Sequence, residues 1–401
     1  MRQKKLMLLG GIRYLLPVIK AAHEQGYYVI TADYLPDNIA HKYSDEYVNV
    51  SIIDKDAVLQ VAQEKQINGI MSFGVDPGVV SAAYVAEKMG LPFQCSYEAA
   101  CILQDKSKFR QFLSEHGFNC PKAKGYDSIE EAIADADSFT WPIIVKPVDS
   151  AGSKGVAEVF HKDDLRQAVE KAFVASLGQH IIIEEYLLAE GRPSGSESFF
   201  VNGELRYNAF YDQLFELNSP NPFVPMVEQW PSGKDESVLD NVSKQLQRLG
   251  EILGFGTGLF NVEWRVSKGK VYLVEVSPRA GGNRLAEILN YATDIDVIKA
   301  ETLKSIGADC GEVHEPNYNG HYAIYNLHSN RNGRFKKLII DPDFEKKYLI
   351  EKEVRVEVGG IVEPFVGANT SLGTLFLRAD TRQEMDAILK SIDKYINIIL
   401  E

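Results

Sequence analysis

Two runs rich in β-branched and aromatic residues, Asn261-Val-Glu-Trp-Arg-Val266 and Val271-Tyr-Leu-Val-Glu-Val-Ser277, flank the polar turn Ser267-Lys-Gly-Lys270. The pattern commits this stretch to two antiparallel strands joined by a short loop with glycine at its left-handed position. Strand side chains alternate faces, so Asn261, Glu263 and Arg265 share one face, and Glu275 and Ser277 share one face of the returning strand. A three-residue loop makes the two polar faces coincide. Glu263 and Glu275 then lie within about one cross-strand pair of each other, and carboxylates that close call for a cation between them. Magnesium takes oxygen ligands, commonly one or two carboxylates together with substrate phosphates. By spacing alone the hairpin is either such a metal platform or a solvated face with two unrelated glutamates.

The chain before the hairpin supplies its scaffold. Residues 5 to about 95 alternate short apolar runs with helical patterns: a strand at Leu6 to Leu9, the turn Gly10-Gly11, a helix from Ile12 to Gln25 and a strand from Tyr28 to Ala32 that ends at Asp33. A helix near Asp56 to Lys65, a strand from Ile67 to Phe73 and a helix from Pro77 to Met89 follow, which is the signature of a parallel α/β sheet. Glycines after the first strand and Asp33 after the second suggest a dinucleotide site. However, Gly10-Gly-Ile-Arg-Tyr14 lacks the third glycine of Gly-x-Gly-x-x-Gly, which argues against a nicotinamide cofactor. The turn's free amides remain available to a carboxylate or phosphate.

Ser96 to Gln104 and Asp105 to His116 read as helices, and the composition changes near Tyr126. Trp141-Pro-Ile-Ile-Val-Lys-Pro147 is a strand ending in a lysine, followed by Asp149-Ser-Ala-Gly-Ser-Lys-Gly155-Val156. That loop is not a Walker A sequence; it is either an anion nest or a hairpin turn between Val145 and Val156. A helix from Asp163 to Ala175 leads to Ile181-Ile-Ile-Glu-Glu-Tyr-Leu187, a buried strand that leaves the core at a polar cleft, and then to a loop and strand ending at Val201. Around Asn208 to Trp230 the chain is dense in proline, asparagine and aromatics, which suits a surface segment covering a site. Ser237 to Leu253 is a helix stopped by Gly254, and Arg284 to Tyr291 and Val297 to Ile306 are helices. Beyond Ile306 the chain is strand-rich (Tyr322 to Leu327, Lys337 to Ile340, Glu353 to Glu357, Thr374 to Arg378) and ends in a helix from Thr381 to Ile396.

Charge and cysteine content narrow the partners. With 43 Lys and Arg against 56 Asp and Glu, the net charge of -13 disfavours nucleic acid. No apolar run reaches the roughly 18 residues of a membrane span, and the apolar segment at the N-terminus is too short for a signal peptide, so a cytoplasmic protein with no membrane association is expected. Cys95, Cys101, Cys120 and Cys310 form no Cys-x-x-Cys pair and the eight histidines no ligand-spaced cluster, so neither a disulfide framework nor a zinc site is expected.

Taken in order, Asp105-Lys106, Val145-Lys146-Pro147, the glycine-rich loop, Glu184-Glu-Tyr-Leu187 and the two hairpin carboxylates followed by Pro278-Arg279 resemble the ATP-grasp superfamily, over nearly the whole chain. The likeness is to the branch that contains biotin carboxylase, the carbamoyl-phosphate synthase large subunit, the purine-pathway ATP-grasp enzymes and the L-amino-acid ligases. It implies a mixed α/β and α+β fold: a parallel α/β pre-domain over residues 1–95, an ATP-grasp nucleotide-binding domain over 96–306 and a β-rich C-terminal domain with a final helix over 307–401. ATP and Mg²⁺ are the implied cofactors, with room for two ions and for Mn²⁺ in their place.

By the same resemblance Lys106 and Lys146 contact the nucleotide phosphates, and Ser150, Gly152, Ser153 and Gly155 belong to a loop, Ser150 to Val156, that folds over the β- and γ-phosphates. Glu184 accepts from the adenine amino group, with the backbone of Glu185 and Leu187 reading the base edge. Glu197 binds ribose, in competition with Glu190. Glu263 and Glu275 are the magnesium ligands. Ser277 stands where the family usually has a third ligand, Asn, so a second ion is held less tightly or through water. Arg279 meets the transferred phosphate or the substrate carboxylate, and Lys146 stabilises charge on the transferring oxygens. The implied reaction is ATP-dependent ligation in which a small carboxylate, an amino or related acid, becomes an acyl phosphate and is attacked by an amine. A bicarbonate-activating or purine-pathway enzyme and a non-catalytic ATP-binding regulator are the alternatives. The implied partners are small-molecule carboxylates and amines, and a homodimer is suggested.

Overall fold

The computed structural model describes residues 3–149 and 154–401, so Ser150, Gly152 and Ser153 of the expected phosphate loop lie outside the described residues. Strands β1 (Lys5–Leu9), β2 (Tyr28–Asp33), β3 (Glu46–Asn49) and β4 (Gly69–Ser72) form a parallel sheet in the order β3-β2-β1-β4. Leu6, Met7, Leu8 and Leu9 are all fully buried, as a parallel strand covered on both faces requires. Helices α1 (Leu16–Glu24), α2 (Lys55–Lys65) and α3 (Val79–Met89) supply the covering apolar faces. The short, partly exposed β3 was not anticipated, because its four residues carry no alternating pattern.

Two helices connect this sheet to the next. In α4 (Tyr97–Gln104) the Ser96 hydroxyl caps the first turn by accepting from the Ala99 amide at 3.1 Å. In α5 (Lys106–Glu115) one oxygen of Asp105 accepts from the amides of Ser107 and Lys108 at 2.9 and 3.0 Å. Asp105 is extended, so the chain turns there and Lys106 opens the new helix.

A second sheet contains β5 (Ala123–Tyr126), β6 (Ile143–Pro147), β7 (Ala157–Val159) and β8 (Ile181–Glu185), all antiparallel, in the order β5-β8-β6-β7, with α6 (Ile129–Asp135) and α7 (Leu165–Ala175) on one face. Ile143, Val145, Ile181 and Ile183 pack under those helices, so alternation turns Ile144, Lys146 and Glu184 to the other face. Val145 pairs with Ala157, so the glycine-rich loop does join a hairpin. Gly155 has φ +72, and a Cβ there would meet Ala175 Cβ at 2.5 Å, so no other residue fits.

The largest sheet has eight antiparallel strands. Its members are β9 (Ser194–Val201), β10 (Glu204–Phe215), β11 (Pro225–Trp230), β12 (Gly258–Ser267), β13 (Lys270–Ser277) and β14 (His321–Leu327), joined after β15 (Gly333–Ile340) by β16 (Leu349–Val354) and, after β17 (Ile361–Val362), by β18 (Gly373–Ala379). The order is β13-β12-β9-β10-β11-β14-β18-β16. Helices α8 (Glu236–Leu253), α9 (Leu285–Ala292) and α10 (Val297–Ser305) pack against it. The C-terminal part adds α11 (Pro342–Tyr348) and α12 (Arg382–Lys390), and β19 (Ile396–Leu400) pairs with β15 in a three-stranded sheet. Among the described residues no helix is long and apolar enough to cross a membrane.

Three expectations change. Residues 208–230 are a cover only in part: β10 and β11 are central strands, while the connection between them, which holds the prolines 220 and 222, lines the cavity described below. Their buried polar residues disguised the strands; Asp212, for one, accepts from the hydroxyls of Ser194 and Ser232 at 3.1 and 2.6 Å and from the Gly233 amide at 2.9 Å. The eight-stranded sheet also runs on across the boundary expected at 306/307, because β14 pairs with β11. Finally, the last helix stops at Lys390 and the chain closes with a strand.

The parallel sheet is locked to α10 by a close approach at Gly69, where a Cβ would meet the Ser305 carbonyl oxygen at 2.1 Å. Gly69→Ala is expected to destabilise the chain by about 1–3 kcal/mol through overpacking against backbone, read as a lower urea midpoint with unchanged denaturant slope.

Candidate active site

β12 and β13 are joined by a two-residue turn, Lys268-Gly269, with φ of 50° and 68°, rather than by the expected three-residue loop. From that turn Ser267 pairs with Lys270, Arg265 with Tyr272 and Trp264 with Leu273. Unbroken, this register would set Glu263 opposite Val274 and turn Glu275 to the other face. A bulge at Val274 intervenes, and beyond it Glu263 pairs with Glu275 and Asn261 with Ser277. The extra residue, not the loop, brings the two acids together. Its carbonyl accepts a 2.8 Å hydrogen bond from Arg110 Nη2, and Arg110 Nε lies 3.0 Å from Glu184 Oε1. A guanidinium only 3 % exposed thus ties the bulge to β8.

Glu184 reaches from β8 to the adjacent strand, where Lys146 Nζ donates to its other oxygen at 2.9 Å. Burial opposes ionisation of Glu184, but Arg110 first and Lys146 second hold its carboxyl at about 2. Burial and the repulsion of Arg110 and Lys106 push the Lys146 ammonium down to about 8, with Glu184 opposing. The two shifts are consistent because Arg110, not Lys146, is the stronger partner of Glu184. Lys146 Nζ and Arg110 Nε each approach one Glu184 oxygen, and the side chain expected at the adenine amino group stands beside Lys146 rather than on the cavity wall. Glu185 turns outward, where its Oε1 accepts from the Thr140 amide at 3.1 Å, and the Leu187 carbonyl accepts from Arg265 at 3.5 Å.

A second circuit comes from the parallel sheet. Asp76, just beyond β4, accepts from Arg279 Nε at 2.7 Å and from the Ser277 hydroxyl at 3.0 Å, while Gln104 Nε2 donates to Ser277 Oγ at 2.8 Å. Ser277, expected as a third metal ligand, is fully buried, donates to Asp76, accepts from Gln104 and does not line the cavity. Lys106 Nζ lies 3.4 Å from Glu275 Oε2. Burial alone would push the Glu275 carboxyl up; Lys106 first, then Arg279 and Lys146, hold it below its ordinary value. Glu263 is pushed up by burial and by Glu275.

These groups open on a cavity of about 700 Å³ lined by Lys106, Lys146, Glu263, Glu275, Arg279 and Asp76, among others. Glu197 and Glu190 do not line it. Glu197 is fully buried and accepts from Asn261 Nδ2 at 2.7 Å and from the Gly281 amide at 3.0 Å, and burial pushes its carboxyl up to about 7. A Cβ on Gly281 would meet Glu197 Oε1 at 2.6 Å, which is why glycine stands there. Glu190 instead clasps the hairpin turn through the Gly269 amide at 3.1 Å. Neither of these two residues, expected at the ribose, reaches the cavity wall.

Among the described residues no three carboxylate, histidine or cysteine side chains form a metal cage. The facing pair Glu263 and Glu275 nonetheless fits an ion whose other ligands are water and phosphate, which is the usual state of Mg²⁺. Asp76, Arg110, Glu228 and Asn326 are among the site residues that escaped the sequence reading. Two left signals. Asp76 follows a parallel strand at the edge where such sheets bind ligands, and Arg110 lies four residues after Lys106 on one helix face.

Residues 139–287 match the family described as the ATP-grasp domain. The chain is 24% identical over 295 residues to the carbamoyl phosphate synthase large chain of Thermotoga neapolitana, covering 73% of this chain and 26% of that one. It is 25% identical to the corresponding protein of Pseudothermotoga lettingae, covering 76% and 28%. The chain thus spans about a quarter of the length of these relatives. Among solved structures it matches the L-amino acid ligase from Bacillus licheniformis with a TM-score of 0.81 and 20% identity, and phosphoribosylglycinamide synthetase from Anaerococcus prevotii with 0.78 and 20%, each over 100% of both chains. The fold is the ATP-grasp fold preceded by a parallel α/β sheet.

Removing Arg110 strands a buried carboxylate and an unpaired bulge carbonyl. Arg110→Met is expected to cost about 3–5 kcal/mol, measured by chemical denaturation. Glu228, buried on β11 and facing Glu263, is pushed up to about 8 from an ordinary 4.5. A raised carboxyl binds its proton more tightly folded than unfolded, so its stabilisation is complete below about pH 4.5 and lost as the pH rises through about 8. Glu228→Gln is expected to remove that decline from a pH series of ligand-free melts.

Proposed function

With residues 139–287 established as an ATP-grasp domain, we propose that the chain is an ATP-dependent ligase that activates a small carboxylate as an acyl phosphate for attack by an amine. The observation that carries this reading is the convergence of Lys106, Lys146 and Arg279 with the facing pair Glu263 and Glu275 on one cavity of about 700 Å³. A site of this kind needs no nucleophilic side chain. Phosphoryl transfer is catalysed by positioning and by charge neutralisation.

Glu263 and Glu275 would hold magnesium, which when bound neutralises charge on the phosphate oxygens. Lys146, fixed by Glu184, and Lys106, fixed by Glu275, aim ammonium groups at the phosphates. Arg279, fixed by Asp76, presents its guanidinium to the carboxylate that receives the phosphoryl group. A carboxylate oxygen attacks the γ-phosphorus as the bond to ADP breaks. The amine then attacks the acyl carbon, the carbon–nitrogen bond forms, phosphate departs and the amine proton passes to solvent. The reading extends to a cytoplasmic enzyme acting on small molecules.

ADP release measured with Mg²⁺ and ATP across a matrix of carboxylates, bicarbonate included, and amines tests the proposal. Glu275→Gln is expected to lower the best rate at least about a hundredfold while circular dichroism shows the fold retained. Undiminished turnover would sink the metal assignment.

A further inference from the structure

Away from its cations the cavity has a different character. Phe215, Phe223 and Val224 line it, together with Glu228 and Asn326. The loop that carries the two later apolar residues is braced. The Asn218 amide donates to Glu216 Oε1 at 2.9 Å, the Phe223 amide to Asn221 Oδ1 at 3.3 Å, and Asn221 Nδ2 to the Val366 carbonyl at 2.9 Å. It therefore forms a fixed apolar wall rather than a loose strap.

Polar atoms beside this wall are poised to accept. Asn326, 2 % exposed, donates through Nδ2 to the Pro225 carbonyl at 3.0 Å, which fixes the amide's orientation, and its Oδ1 has no donor among the described residues. A buried acceptor without a donor is an uncommon cost in a folded chain, and it asks what would satisfy it. Glu228 pairs with Ile324 across β11 and β14, so Glu228 and Asn326, two residues beyond Ile324, share one face as diagonal neighbours. One Glu228 oxygen accepts from Asn283 Nδ2 at 2.8 Å. Two acceptors on one face beside an apolar wall complement a group with several N–H donors on an apolar body.

We propose that this end of the cavity is the subsite for the amine substrate, and that it takes a primary amine bearing a hydrocarbon side chain. Its N–H groups donate to Asn326 Oδ1 and Glu228, and the side chain packs against Phe215, Phe223 and Val224. The inference rests on the ligase reading above and adds the chemical class of the nucleophile.

Calorimetric titration of the full chain holding Mg·ADP tests it with three probes: leucinamide, glycinamide, which lacks the side chain, and 4-methylpentanamide, which lacks the amine. Leucinamide is expected to bind at least about tenfold more tightly than either. Phe223→Ala is expected to weaken leucinamide about tenfold with Mg·ADP affinity unchanged. Asn326→Leu is expected to abolish leucinamide binding, while Asn326→Asp, which keeps an acceptor at the same place and guards against a folding defect, retains it. Equal binding of leucinamide and glycinamide, or unchanged binding in Asn326→Leu, overturns the proposal while leaving the ligase reading intact. Failure of the wild-type chain to bind Mg·ADP takes down both.

Discussion

The bulge at Val274 decides on which face of the hairpin Glu275 appears, and the rest of the site is built to keep it there. A bulge leaves backbone groups outside the ladder, and a buried carbonyl without a partner is costly. Arg110 removes that cost by donating to the Val274 carbonyl, and the same guanidinium pairs with Glu184, which holds Lys146. Strand register, the facing acids and one cavity-lining lysine therefore depend on a single side chain in α5. That helix in turn starts where it does because Asp105 caps it, which also places Lys106 at its first position.

Buried charge is expensive, and the site tolerates most of it by dividing it into circuits of ion pairs and hydrogen bonds. Arg110, Glu184 and Lys146 form one circuit; Asp76, Arg279 and Ser277 form another; Lys106 sits against Glu275. These circuits come from all three parts of the chain that meet at the cavity. Asp76 belongs to the parallel sheet, Arg110 to the connecting helices and Arg279 to the segment after the hairpin. Preorganised charges of this kind do not have to reorganise as a phosphoryl group moves. Among the described residues Glu263 is the member without a counterion of its own, and burial together with Glu275 raises its carboxyl, which leaves the pair complementary to a divalent ion.

Much of the fold was legible in the chain itself. The apolar run at Leu6 to Leu9, the caps Ser96 and Asp105 and the helix stopped by Gly254 announced their elements because local geometry and burial pull the same way there. Residues 208–230 were misread for the opposite reason. Asp212, Gln213, Glu228 and Gln229 are polar yet buried, and the connecting prolines dominate the composition of the segment. Composition reports average exposure, and a sheet whose polar side chains face a ligand cavity violates the average. The same blindness hid Glu228 and Asn326, whose surroundings exist only once β11 and β14 lie side by side.

The sequence by itself determined the hairpin, its two acids, the lysines at Lys106 and Lys146 and the order of elements around them, because strand alternation and helix capping act over a few residues. The tertiary structure decided what those residues touch. It replaced a three-residue loop by a two-residue turn and a bulge, committed Glu184 to Arg110 and Lys146, buried Glu197 under Gly281 and turned Ser277 toward Asp76. Each of these outcomes depends on a partner at least 38 residues away or on a register summed along a strand, and pairings of that kind are set by which buried polar groups can find donors and acceptors once the sheets have closed.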